Sequence, residues 1–86
     1  MSSHHPTDFQ GSIEDAITTS VQAQLPDAIV KVAGGGGHFT IDVVSAAFAD
    51  KSTLQRQRMV LSAIKHLING AAPPVHAVDS LTTRTP

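Results

Sequence analysis

The sequence places two histidines, His38 and His76, at points where β-strands are predicted to begin. Four glycines at residues 34–37 precede His38, and an alternating run of apolar and polar residues follows it. His76 lies in the sequence Val-His-Ala, shortly after a pair of prolines. Neutral imidazole is a good ligand for iron, so the two histidines are a candidate metal site if the fold brings them together.

Composition narrows the class of protein. A length of 86 residues, with 41% hydrophobic and 15% charged residues, predicts one compact domain of modest stability. The formal charge of -1 gives no broad attraction to nucleic acid or to an anionic membrane. No apolar run approaches the roughly 18 residues of a membrane span, and no signal peptide is recognisable. We therefore expect a cytoplasmic protein with no membrane partner, and the absence of cysteine agrees with a reducing compartment.

The elements that position His38 begin after a polar segment. Residues 1–11 lack a hydrophobic period and predict a flexible N-terminal lead, and residues 12–86 form the predicted domain. Ser12 is a candidate N-cap for a helix whose apolar residues recur every four positions: Ile13, Ile17, Val21 and Leu25. Residues 28–33 predict a strand, and residues 34–37 a glycine loop. A second strand follows from the alternation of Phe39, Ile41 and Val43, and a hairpin joins the two strands.

The second half of the chain predicts a connector, a long helix and a third strand. Residues 45–51 form the connector, in which Phe48 anchors a turn. Residues 52–69 predict the longest helix, with an apolar stripe of six residues: Leu54, Val60, Leu61, Ile64, Leu67 and Ile68. Glycine and proline end this helix, and residues 75–83 are again typical of a strand. The predicted fold class is α/β (α+β), in the order αββααβ.

The connection between the second and third strands predicts where the histidines meet. A helical crossover of this length is what a parallel pair of strands requires. If the two strands are neighbours, both begin at the same edge of the sheet, and His38 and His76 lie about 5 Å apart or slightly more. In the alternation of each strand, both histidines fall on the side opposite to their apolar neighbours. We therefore expect both imidazoles to lie on the sheet face that the helices do not cover.

From residue 12 to residue 86 the chain resembles the BolA-like proteins, particularly the small BolA/IbaG-type members. The residues that carry the resemblance, in order, are His38-Phe39, Val43-Val44-Ser45, Phe48, Arg56-Gln57-Arg58, Val75-His76-Ala77 and Thr85-Pro86. The resemblance implies a single class II KH-like domain, with a three-stranded mixed sheet and its helices on one face. It also implies a non-enzymatic adaptor, and the sequence agrees, because it shows no recognisable arrangement of nucleophile, base and orienting acid.

The resemblance further implies a partner and a cofactor. Members of the family bind a monothiol glutaredoxin and share a [2Fe-2S] cluster with it, in iron-sulfur trafficking or in iron and redox regulation. Glutaredoxin and glutathione hold one iron, and the family's ligand histidines correspond here to His76 and the more variable His38. We expect no cofactor in the isolated chain, because a chain without cysteine offers no thiolate to hold such a cluster alone. The isolated chain is expected to be a monomer, with a weak homodimer left open.

A second function remains open from the sequence. Arg56, Arg58 and Lys65 form a candidate basic patch on the long helix, either for an acidic partner or for DNA. With the KH-like fold, DNA binding would make the protein a transcriptional regulator, for instance in a stress response. Gly36 and Gly37 would give a partner or glutathione room for close approach. The weak overall charge favours the glutaredoxin partner over DNA.

Overall fold

Ser12 begins the first helix, since its side-chain oxygen accepts a hydrogen bond from the amide of Asp15. The structure, a computed structural model, describes residues 12–86, so the predicted lead at residues 1–11 lies outside the described residues. Helix α1 runs over Ile13–Gln24 and ends before Pro26. The predicted apolar stripe is confirmed. Ile17, Val21 and Leu25 are buried, and Ile13 is half-buried.

The first two strands form the predicted antiparallel hairpin, but its turn is shorter than predicted. Strand β1 covers Ile29–Gly35, and β2 covers His38–Val44. Gly34 and Gly35 pair with Phe39 and His38, so they extend β1 instead of belonging to the loop. The turn therefore consists of two residues, Gly36 and Gly37, with φ of 62° and 84°. A two-residue hairpin turn with both φ values positive follows the twist of the strands, and glycine adopts it without a steric penalty.

The connector after β2 folds as predicted around Phe48. A short 3-10 helix, η1, covers Ala46–Phe48, and the Phe48 side chain is fully buried. Ser52 then starts helix α2 with a capping box. The Ser52 hydroxyl accepts a hydrogen bond from the amide of Gln55, and the Gln55 side chain accepts one from the amide of Ser52.

The long helix differs from the prediction in its length and in its buried face. Helix α2 covers Thr53–Ala63, Ile64 leaves the helical conformation, and a short helix α3 covers Lys65–Ile68. Leu54 and Leu61, predicted in the core stripe, have 55% and 38% of their surface exposed. At about 100° per residue they lie roughly 100° to 120° around the helix from Val60, so a different face of the helix packs against the core. That face holds Val60, Ala63, Ile64 and Leu67.

Strand β3 completes the sheet beside β2. It covers Ala77–Arg84, runs parallel to β2 as predicted, and gives the strand order β1-β2-β3. The alternating β2 residues Phe39, Ile41 and Val43 are all buried and join residues of α1 and α2 in one core. The fold is thus a small α+β domain with a three-stranded mixed sheet, as predicted. Within residues 12–86, no helix is both long enough and apolar enough to cross a membrane.

Candidate functional site

The parallel pairing of β2 and β3 brings the two histidines to the same end of the sheet, as predicted. His38 is the first residue of β2, and its partner in β3 is Ala77, the neighbour of His76. Both histidine side chains are exposed. His76 itself precedes β3 and is held by its backbone, because its amide donates to the carbonyl oxygen of Gly37 over 2.7 Å. The amide of Ala77 donates to the same carbonyl over 3.0 Å.

Gly37 also lies directly against the imidazole of His76. A Cβ atom at this position would stand 2.7 Å from both Cγ and Nδ1 of that ring, closer than such atoms normally approach. A side chain would therefore displace the imidazole, and only glycine leaves it in place. Gly36 shares the left-handed backbone but has nothing within 4 Å of its own Cβ position. Of the two glycines in the turn, therefore, only Gly37 lies against the side chain of a candidate ligand.

Asp79 binds the imidazole of His38. Its Oδ1 lies 3.2 Å from Nδ1 of His38, and both side chains are more than half exposed, at 55% and 58%. Asp79 reaches the ring at a register shift between Phe39 and Thr40, where β3 contributes one residue that has no partner in β2. Sequence reasoning missed Asp79, because strict alternation along β3 gives no sign of this bulge.

Two imidazoles and one carboxylate lie at this end of the sheet. Among residues 12–86, no group of three or more histidine and carboxylate side chains is placed to hold a metal ion. At this end the described part of the chain offers two imidazoles, one of them in contact with a carboxylate. Imidazole with an anchored second ring nitrogen is a typical arrangement for a metal ligand.

The predicted basic patch is divided in the structure. Arg56 turns toward the connector, where its Nε donates to the carbonyl of Lys51 and its guanidinium lies 5.9 Å from the centre of the Phe48 ring. Arg58 and Lys65 instead line one shallow groove of about 480 Å³, which Arg56 does not line. The other residues lining this groove are Leu61, Ser62, Ile68 and Asn69.

The opposite end of the sheet is held by polar contacts that sequence reasoning did not find. Ser45 is the one buried polar residue in the described part of the chain, and its hydroxyl donates to Asp27 over 2.7 Å. The amide of Ala46 donates to the same carboxylate over 2.7 Å, and the amide of Ser45 donates to the carbonyl of Arg84. The hydrogen bond from Ser45, followed by that from Ala46, lowers the pKa of Asp27 below its ordinary value.

A second carboxylate, Asp42, joins β2 to β3 across the sheet face that carries His38. Thr82 donates its hydroxyl to Oδ1 of Asp42, and Arg84 donates to Oδ2 over 2.9 Å. The bond from Thr82 lowers the pKa of Asp42, and the charges of Arg84 and Lys31 act in the same direction. This cluster stabilises the parallel pairing that aligns the histidine end.

His66, on α3, was predicted to be solvated, and it is exposed. Its Nε2 lies 3.1 Å from the hydroxyl of Ser20 on α1. Both residues line an open groove of about 600 Å³ together with residues 69–74. This pair forms a contact between α1 and α3.

Comparison with known proteins gives a consistent set of similarities. A family model described as BolA-like protein matches residues 9–86. BolA-like protein 1 of Homo sapiens is 33% identical over 86 residues, covering 88% of this chain and 60% of the human protein. The chain therefore spans less than two thirds of the length of that relative.

Solved structures show the same similarity. A Bol-like protein from Babesia bovis has a TM-score of 0.71 and 30% identity, with 90% of this chain and 91% of that chain covered. A BolA protein homologue from Coxiella burnetii has a TM-score of 0.70 and 29% identity, with 90% and 94% covered. The fold and the sequence thus point to the same relatives.

Proposed function

The chain belongs to the BolA-like family, and on this premise we propose that it is a non-enzymatic adaptor that binds a monothiol glutaredoxin. In the proposed complex it supplies His76 and His38 as ligands to a [2Fe-2S] cluster that bridges the two proteins. Glutaredoxin and glutathione supply the thiolates that this cysteine-free chain lacks. The cytoplasm is the proposed location, because its thiols stay reduced.

The contact between His38 and Asp79 is the observation that carries this proposal. The carboxylate engages Nδ1 of His38, and Nε2 is then the ring nitrogen available to a metal. Asp79 also fixes the ring direction at the surface, where a partner can reach it. A carboxylate held on an exposed strand-end histidine is what an oriented metal ligand requires, whereas a surface histidine without such a role needs no orientation.

The rest of the site supports the same function. Gly37 holds the backbone of His76 through its carbonyl, and its lack of a side chain leaves space for the imidazole. The two histidines, both exposed at one end of the sheet, provide at most two nitrogen ligands from this chain. When bound through imidazole in place of thiolate, a [2Fe-2S] cluster has a raised reduction potential, which suits transfer or sensing.

Cluster reconstitution tests the proposal directly. The chain is mixed with a glutathione-loaded monothiol glutaredoxin, the cluster is assembled without oxygen, and visible absorption and circular dichroism are recorded. We expect a spectrum that differs from that of glutaredoxin alone and that His76→Ala abolishes or strongly changes. His66→Ala is the matched control, because it removes an exposed histidine outside the site. A spectrum identical to glutaredoxin alone, or indifferent to His76→Ala, would disprove the cluster role.

DNA binding draws less support from the geometry. Arg58 and Lys65 lie in a groove beside the exposed Leu61. Arg56 instead donates a hydrogen bond to the connector. Phosphate backbones are bound by several cations together, and their binding is lost steeply as salt rises. An exposed leucine contributes nothing to such a contact, so we do not propose DNA as the main partner.

A further inference from the structure

We propose that one exposed face of α2 is a second docking surface, which binds an acidic amphipathic helix of a partner protein. This surface, named here the α2 stripe, consists of Leu54, Arg58 and Leu61 on α2 and of Lys65 at the start of α3. Leu54 and Leu61 are two of the three large hydrophobic residues that are exposed within residues 12–86. Single exposed leucines are common on protein surfaces, but two on one helix face, each followed four residues later by a cation, form a pattern.

Helical geometry places the three residues of the stripe that lie on α2 side by side. Leu54, Arg58 and Leu61 lie within an arc of about 60° around the α2 axis, at about 100° per residue. Lys65 follows the break at Ile64 and lines the same groove as Arg58 and Leu61. The centre of this arc lies roughly 110° around the helix from the buried face, whose centre is marked by Val60 and Ile64. All four residues of the stripe are exposed to solvent.

A groove gives the stripe a place for an apolar side chain. Leu61 and Ile68 line its apolar part, and Arg58 and Lys65 line it as well. The volume of about 480 Å³ is large enough to hold the end of a leucine or phenylalanine side chain from a partner. A carboxylate beside that side chain would meet one of the two cations.

The alternation of leucines and cations selects the class of partner. A helix with apolar residues on one face and glutamates or aspartates beside them matches both features, because apolar contact and charge pairing occur on the same stripe. DNA matches the cations alone. An anionic membrane needs a larger cluster of cations than the two found here, since each contributes only about 1 kcal/mol to binding.

The α2 stripe lies on a different side of the domain from the proposed cluster site. The buried face of α2 packs on the same core as Phe39, whereas His38 alternates to the opposite face of β2. The chain can therefore hold one protein at the histidines and another on the stripe at the same time. This inference goes beyond the proposed function and does not depend on it, because the stripe is present without glutaredoxin or cluster.

Nuclear magnetic resonance with the isolated, 15N-labelled chain tests this inference. The probe is a synthetic helical peptide of about three turns, with leucines on one face and glutamates flanking them, titrated at low and at high salt. We expect peptide-dependent shifts concentrated in residues 54–69. Leu61→Ser and Arg58→Glu should each weaken binding about tenfold or more. Lys31→Glu is the matched control, because it reverses one exposed charge on the other side of the domain and should leave binding unchanged.

Four results would overturn the inference. One is the absence of shifts at millimolar peptide, and another is binding that Leu61→Ser does not weaken. A peptide with lysines in place of the glutamates should not bind, so equal shifts from that peptide would also contradict charge pairing. Concentration-dependent shifts at the stripe without peptide would assign the surface to a second copy of the chain. Because no glutaredoxin is present, none of these outcomes depends on the cluster experiment.

Discussion

The backbone of Gly37 fixes the position of His76. Its carbonyl oxygen accepts the amide of His76 over 2.7 Å, and a Cβ on Gly37 would stand 2.7 Å from two atoms of the imidazole. Gly37 also directly precedes His38 in the chain. One residue of the hairpin turn is therefore in contact with both candidate ligands, so a change there affects the whole site.

Replacing Gly37 should damage the site more than replacing its neighbour. Gly37→Ala and Gly36→Ala both place a side chain in a left-handed conformation, which costs about 1–2 kcal/mol of unfolding free energy. Only Gly37→Ala also displaces the His76 imidazole. Chemical denaturation should show similar losses of stability, while the ring resonances of His76 move only in Gly37→Ala. Equal movement of these resonances in both variants would contradict the close approach.

Asp79 is expected to orient His38 in the free chain. In Asp79→Asn the carboxylate is lost, so the preference for a proton on Nδ1 of His38 should fall, and 15N spectra of the ring should report it. A metal held by His38 should bind about tenfold to a hundredfold more weakly in this variant. Asp50→Asn changes another exposed carboxylate, in the connector, and serves as the control. Identical ring spectra in wild type and Asp79→Asn would show that Asp79 does not orient the ring.

The carboxylate of Asp27 should make stability depend on pH in the acid range. Its folded pKa lies below the ordinary 3.8, so the ionised form stabilises the folded state fully above that value. This contribution is lost as the pH falls through the folded pKa. Urea unfolding at a series of pH values should show Asp27→Asn less stable than wild type at neutral pH, with the difference shrinking below about pH 4. A constant difference down to the lowest pH would contradict the assignment.

Two apolar residues of the long helical segment should respond very differently to truncation. Ile64→Ala removes a fully buried side chain and should lower the unfolding free energy by about 2–5 kcal/mol. Leu54→Ala removes a mostly exposed one and should change it by less than about 0.5 kcal/mol. Thermal or urea unfolding of both variants measures this difference. A large loss in Leu54→Ala would place Leu54 in the core, contrary to the structure.

The sequence predicted the part of the site that depends on periodicity and on connection length. The alternation of Phe39, Ile41 and Val43 locates β2, and the long crossover requires β3 to run parallel to it. If β2 and β3 are neighbours, as they are in the structure, these two facts bring His38 and His76 to one end of the sheet. Their role as ligands stays a prediction.

Other features could not be predicted, for identifiable physical reasons. Gly34 and Gly35 join β1 because β2 pairs with them, although glycine has a low preference for strands. The bulge that presents Asp79 arises from the pairing of two strands distant in sequence. Leu54 and Leu61 fit a helical apolar period as well as Val60 and Ile64 do, and the pattern alone does not say which arc the core covers.

The hydrogen bonds of Ser45 affect the dynamics of the end of the sheet that carries His38 and His76. Ser45 joins the turn before β1 to the ends of β2 and β3 through Asp27 and Arg84. The seven residues of β2 separate this anchor from His38 by roughly 20 Å, at about 3.3 Å per residue. Amide hydrogen exchange should therefore be slowest near Val44 and fastest around Gly36. Local opening at the turn can then admit a partner while the anchored end keeps the fold intact.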